Sequence, residues 1–175
     1  MFDVVLINPE IPPNTGNIGR LTLGSRCGLT VVGEPSFDLS DDAAVNRAGL
    51  DYWDQVNLNR FENWPEYKTS TSGSYHLISK FARTPYHRAN FEPGDQIIFG
   101  GETKGAPQQV HDDPLVQSHC IPMSDAIRAF NVCNAAAVVL FEALRQNDPD
   151  WFSETPFSGQ SPQEFYDSHP DDSPQ

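Results

Sequence analysis

Four runs, FDVVLI (2–7), LTVVG (29–33), YHLISKF (75–81) and DQIIFG (95–100), are apolar nearly end to end, without the in–out alternation of a sheet that keeps one wet face. Strands covered on both faces read this way, and they occur in parallel sheets flanked by helices. Helical stretches fall between them. Residues 16–27 form one, closed by Gly28 as a C-cap. Ser40 and Asp41 cap a second that runs through Ala48 and ends at Gly49. The strongest is NVCNAAAVVLFEALRQ (131–146), where Val132, Ala136, Val139, Leu140 and Ala143 share one face. A short strand ends at Pro122. Strands alternating with helices predict an α/β domain with a mostly parallel sheet and helices on both faces.

A length of 175 residues suits one domain with a respectable core, expected over residues 1–146. From 147 the chain turns to Pro, Ser and Asp, a composition that buries too little apolar area to fold alone. Residues 147–175 hold seven acids and no Lys or Arg, so 17 acids and 11 bases remain in residues 1–146. Net charge falls from −13 to −6, and neither total favours a nucleic-acid partner. Trp151, Phe152, Phe157, Phe165 and Tyr166 are the tail's candidates for docking on the body or on a second subunit. No apolar run reaches the roughly 18 residues of a membrane span. MFDVVLIN lacks the features of a secretion signal, which makes the cytoplasm the expected compartment. Cys27, Cys120 and Cys133 read as free thiols, and the five histidines show no ligand spacing, so no metal is expected.

Chemistry concentrates in three segments. In PEIPPNTGNIGRL (9–21), Pro12 and Pro13 end the first strand, and Asn14 or Thr15 can cap the helix that follows. The helix N-terminus suits an anion, and Gly16, Asn17 and Arg20 lie on one helical face. In IIFGGETKGAP (97–107) a buried strand runs into glycines around Glu102, Thr103 and Lys104, at the strand end where open α/β sheets bind ligands. It is neither a dinucleotide fingerprint nor a P-loop. In HCIPMSDAIRAFNVCNAAAVVL (119–140), Asn131 and Asn134 sit three apart near a helix start, where an amide caps the helix or holds a ligand.

Together and in this order, the segments resemble the SPOUT class of methyltransferases, in its TrmH-like group, and within that the enzymes methylating the ribose of the tRNA wobble nucleotide. The resemblance covers residues 1 to about 146. It rests on Asn14, Gly16 and Arg20 in the first motif, and on Phe99, Gly100, Glu102 and Gly105 in the second. The third contributes Ile121, Pro122, Met123, Asn131, Asn134 and Ala135, and RAGLDYW (47–53) matches as well. It implies a C-terminal trefoil knot, a homodimer, and transfer of a methyl group from S-adenosyl-L-methionine to a 2′-hydroxyl of tRNA. The donor would be held by Ser79, Gly100, Glu102, Ile121, Met123, Ala129 and Asn131. RNA would be met by Asn14, Asn17, Lys80, Arg83, His87, Lys104 and Arg128, with Arg88 beside them. Arg20 would be catalytic, serving the partner subunit's site. A guanidinium stays protonated and cannot accept a proton, so its expected role is to stabilise the forming alkoxide. The chain departs from the family pattern at Ala129 and Cys133, where serines are usual, and at Lys104, where arginine is usual. Alternatives are the same chemistry on ribosomal RNA, or a non-catalytic RNA- or nucleotide-binding protein.

Overall fold

The computed structural model describes residues 1–39, 52–147 and 161–168. Seven strands, β1 (Asp3–Ile7), β2 (Gly28–Val32), β3 (Leu58–Phe61), β4 (Tyr75–Ile78), β5 (Thr84–Pro85), β6 (Gln96–Gly100) and β7 (Val116–Cys120), form one sheet in the order β3-β2-β1-β6-β4-β7-β5. Every pairing is parallel. The described helices are α1 (Pro12–Gly24), α2 (Trp64–Ser70), α3 (Gln108–His111), α4 (Val132–Asn147) and α5 (Pro162–Ser168).

Alternate residues of each strand serve opposite faces, as the pleat requires. Val4, Leu6, Leu29, Val31, Ile97 and Phe99 pack with Ile18 of α1 and with Ala136, Val139, Leu140 and Ala143 of α4. Val5, Ile7, Val32, Leu77 and Ile98 pack with Trp64 and Tyr67 of α2 and Val110 of α3. Both faces are therefore covered by helices, the arrangement expected from the unbroken apolar runs.

Local chemistry sets the helix ends. Pro12 and Pro13 occupy the first helical positions of α1, and no side chain caps it. The reading that Asn14 or Thr15 caps this helix is therefore revised. Proline is at home in the first turn, where its missing N–H has no intrahelical partner to lose. At the other end, Cys27 N donates to Thr22 O (2.8 Å) and Arg26 takes a left-handed φ of 55°. With Arg26 N donating to Leu23 O (3.1 Å), that stop ends α1 four residues before Gly28, which opens β2 instead of capping the helix. Asn63 caps α2 through Glu66 N (3.0 Å), and Ser161 and Glu164 form a reciprocal capping box on α5. The helix expected over 40–48 lies outside the described residues, as do Trp151, Phe152 and Phe157 of the tail.

The order β4-β7-β5 positions the site. β4 and β5 lie on either side of β7, so residues 79–83 bridge the C-terminal end of a strand that comes later in the chain. The segments that follow β1, β4, β6 and β7 all leave the same edge of the sheet.

Candidate active site

At that edge the three motif segments are tied to one another. Glu102 accepts from Glu10 N (2.8 Å) through one carboxylate oxygen and from Asn14 Nδ2 (2.8 Å) through the other. Asn14 Oδ1 accepts from Asn131 Nδ2 (3.1 Å), and Asn131 Oδ1 accepts from Cys133 N (2.9 Å), capping α4. Both ends of this chain fix the amide orientations, since a carboxylate only accepts and a backbone N–H only donates. Cys133 Sγ adds a bond to Asn14 O (3.3 Å). Burial, with the Glu102 charge nearby, raises the Cys133 pKa and keeps the thiol protonated as a donor. A serine hydroxyl would donate in the same place, so this departure from the family pattern preserves the bond.

The clamp leaves no room inside it. The crevice bounded by Leu6, Pro9, Asn14, Gly100, Glu102 and Val132 has ≈ 0 Å³ for a water. Gly100 is needed because a Cβ would run into the backbone of Gly105 and Ala106, where the loop folds back on itself. Gly105 N donates to Gly101 O (2.8 Å) to close that turn. This close approach is made by the protein's own chain.

Open space lies beside the clamp. A cleft of ≈ 400 Å³ is walled by residues 80–82 on one side and by 120–123 with Ile127 and Arg128 on the other. Its size lies within the roughly 300–1,000 Å³ usual for small-ligand sites. Ser79 N donates to His119 O (2.8 Å), which anchors one wall to the other. Of the residues expected at a methyl donor, Ile121 and Met123 line the cleft and Ser79 immediately precedes its wall. Ala129 is exposed on the segment leading to α4, while Gly100, Glu102 and Asn131 belong to the clamp and its loop. Ile121, Met123 and Ile127 supply apolar walls for a flat base, so the lining fits S-adenosylmethionine.

Among the residues expected to meet RNA, Lys80 and Arg128 line the cleft, Arg83 is exposed at the end of the bridge, and His87 is exposed just beyond it. Lys104 is exposed on the glycine loop, and Asn17 is exposed on α1. Asn14 is only 8% exposed and holds the clamp. Arg20 is exposed on α1, its guanidinium 5.4 Å from the centre of the Tyr52 ring, and no residue of α1 lines the cleft.

Sequence reasoning passed over Phe81, Cys120 and Ile127 of the cleft, and over a buried relay behind it. The relay runs from Asp95 Oδ2 to His76 Nε2 (3.0 Å) and from His76 Nδ1 to His119 Nε2 (3.1 Å). An ionised Asp95 makes each Nε2 the donor and leaves His119 Nδ1 a buried acceptor with no partner. Burial first, and then His76, lowers the His119 pKa to about 4. The sequence sets His76 in one apolar run and His119 before the short strand end at Pro122, but nothing local sets the two side by side. Among the described residues no group of three or more His, Cys, Asp or Glu is arranged to hold a metal ion, and no helix is long and apolar enough to cross a membrane. Cys27 is buried, and Cys120 and Cys133 are half-buried free thiols.

Residues 1–141 match the SpoU rRNA Methylase family. A tRNA (cytidine(34)-2′-O)-methyltransferase of Methylovorus glucosotrophus is 39% identical over 151 residues, 85% of this chain and 97% of the relative. The Polaromonas enzyme of the same description is 37% identical, over 84% of this chain and 92% of its own. A solved structure described as giving structural insights into the 2-OH methylation of C/U34 on tRNA superposes with a TM-score of 0.77 at 32% identity, covering 83% of this chain and 95% of that one. The AdoMet complex of the SpoU methyltransferase AviRb from Streptomyces viridochromogenes shares the fold, with a TM-score of 0.70 at 24% identity over 82% of this chain and 59% of that one. With the three motif segments joined at one sheet edge and nearly the whole body matched, this chain belongs to the SpoU family of RNA methyltransferases.

Proposed function

We infer that this protein transfers the methyl group of S-adenosylmethionine to the ribose 2′-hydroxyl of the wobble nucleotide of tRNA, in the cytoplasm. The observation that carries the reading is the cleft itself, opening at the sheet edge where the clamp joins the three motif segments. The activity by which the relatives are named supports the tRNA substrate and the position.

The donor, when bound, supplies a methyl group made electrophilic by a sulfonium. The protein's part is to hold, orient and stabilise charge. Ile121 and Met123 would grip the flat part of the donor, with backbone from Ser79 and Ala129 at its edges. Glu102, Asn14 and Asn131 keep the loops in register. Lys80, Arg83, His87, Lys104, Asn17 and Arg128 would meet the RNA. Arg20 would stabilise the alkoxide that forms as the 2′-hydroxyl passes its proton to a phosphate oxygen of the RNA substrate, since a fixed guanidinium favours negative charge on oxygen.

Two finer features belong to this reading. The first is a trefoil knot: residues 79–83 cross the C-terminal end of β7 between β4 and β5, and a chain threaded beneath that bridge on its way from β7 to α4 would make one. The second is a homodimer. Arg20 lies outside the cleft wall of its own subunit, while Ile11, Phe130, Val138 and Phe141 expose 44%, 41%, 43% and 40% of their surface on and near α1 and α4. A second copy over these helices would cover that apolar surface and bring an Arg20 to the neighbouring cleft. The acidic segment beyond 147 lies outside the catalytic body in this reading.

Labelled methyl transfer to bulk tRNA and to ribosomal RNA, followed by mapping of the modified ribose, tests the reading. Label at the wobble nucleotide is the expected result, and label confined to ribosomal RNA overturns it. Arg20→Lys should lower kcat roughly 10²- to 10³-fold, the usual loss for a displaced oxyanion donor. Full activity in that variant would remove Arg20 from the chemistry.

A further inference from the structure

The bridge between β4 and β5 displays one side chain that neither the clamp nor the sheet uses. Phe81 is 76% exposed, on a turn closed by Phe81 N donating to Ser79 Oγ (3.3 Å) and Ala82 N donating to Ser79 O (3.2 Å). Lys80 Nζ lies 5.2 Å from the ring centre, and His111 meets the ring edge-on at 6.5 Å. The ring also forms part of the cleft wall. With Ile121, Met123 and Ile127 of the cleft, the ring makes a contiguous apolar surface rimmed by cations, which marks a binding site where a lone exposed ring would not.

Charge indicates what the partner is. In a chain with 24 acids, residues 67–91 contain none, yet they carry Lys68, Lys80, Arg83 and Arg88. Lys80 and Arg83 flank the ring in sequence, and Arg128 faces it across the cleft. Exposed aromatics set among cations are how proteins hold unpaired nucleotides: the ring stacks on a base and the cations meet the phosphates.

We propose that Phe81 is a stacking platform for an unpaired base of the RNA substrate, holding the loop so that the target ribose sits over the cleft. This rests on the methyltransferase reading above and names a contact within it. Stacking on a ring discriminates little between bases, so Phe81 orients the loop while other contacts choose the sequence.

The test uses the full chain and an anticodon stem–loop RNA with 2-aminopurine beside the wobble position. Wild type should quench the probe on binding. Phe81→Ala should weaken RNA binding roughly 5- to 150-fold at every salt concentration and abolish the quench, while Phe81→Trp retains both. The salt slope should be unchanged in Phe81→Ala, which removes no charge, and shallower by about 0.7 in Lys80→Ala. Calorimetry should find donor affinity unaltered in Phe81→Ala, and circular dichroism and sedimentation should find its fold and assembly unaltered. Wild-type RNA affinity in Phe81→Ala overturns the proposal. So does an equal loss of donor affinity with RNA binding spared, which would assign the ring to the donor's base, or dissociation of the subunits, which would assign it to their contact. If wild-type protein itself neither binds nor methylates the stem–loop, the parent reading fails and takes this one with it. Methylation without dependence on Phe81 sinks this proposal alone.

Discussion

Asn14 shows how much one side chain can tie together. Its partners are 88 and 117 residues away in sequence, and its two polar atoms join the second motif to the third. Asn14→Ala would strip a donor from the Glu102 carboxylate and an acceptor from Asn131. The expected loss is about 2–3 kcal/mol, read from urea denaturation, because hydrogen bonds to a charged group are among the costlier ones to break. Cys133→Ser should stay within about 1 kcal/mol of wild type, since the hydroxyl donates as the thiol does. Two buried groups make stability respond to pH in opposite senses. Asp3 Oδ1 has no partner, and burial, only partly offset by the Thr30 hydrogen bond, raises the Asp3 pKa from 3.8 to about 6. The folded state then binds the proton more tightly, so this group adds stability as pH falls from about 6 towards 3.8. His119, lowered from 6.5 to about 4, subtracts stability as pH falls through that window, because the unfolded chain takes up the proton first. At about 1.4 kcal/mol per pH unit, Asp3 is worth at most about 3 kcal/mol and His119 at most about 3.5 kcal/mol. Wild type should therefore show a shallow thermal-midpoint profile between pH 4 and 6.5. Asp3→Asn should be more stable than wild type at pH 8 and should lose stability steadily on acidification. A flat profile in that variant would contradict the His119 assignment.

At the scale of elements, the strands that periodicity revealed are the buried ones. β1, β2, β4 and β6 come from continuous apolar runs, and all five residues of β2 are buried. β3 and β5 escaped notice for a physical reason: both lie at sheet edges, β3 is partly exposed, and β5 is two residues ending in proline. The run YHLISKF reads as a strand through 81, yet β4 stops at Ile78 because Ser79 turns the chain over β7. Helix α1 carries a second requirement at Gly19, where a Cβ would come within 2.5 Å of the Trp53 ring. Gly19→Ala improves helix propensity by about 1 kcal/mol but must displace that ring, at a cost of roughly 1–3 kcal/mol. Net destabilisation is the expected outcome of a denaturant titration, and a gain would mean that Trp53 moves aside freely. The same packing sets Tyr52 beneath Arg20, so the side chain proposed for chemistry leaves α1 against a supported ring.

For the whole molecule, the proposed homodimer, in which Arg20 serves the partner's cleft, makes a prediction that no single subunit can satisfy. Arg20→Ala and Ile121→Asp should each be inactive, one lacking the guanidinium and the other the cleft. After subunit exchange, half of the dimers pair one of each, and one site in each such dimer joins an intact cleft to an intact Arg20. Mixing should restore roughly a quarter of wild-type methyl transfer, as two-fold related sites require. No recovery despite confirmed exchange would place Arg20 in its own subunit's site. Net charge misleads at this scale, because −13 is an average over an acidic chain that keeps residues 67–91 free of acids. By itself the sequence determined the layered parallel sheet, the strongest helix and the three motif segments, because periodicity and short-range spacing act within a few residues. Only the tertiary structure decided that β7 enters between β4 and β5, that Glu102, Asn14 and Asn131 meet, and that two histidines share a buried relay. Those outcomes depend on strand order and on contacts many tens of residues apart, which no local pattern encodes.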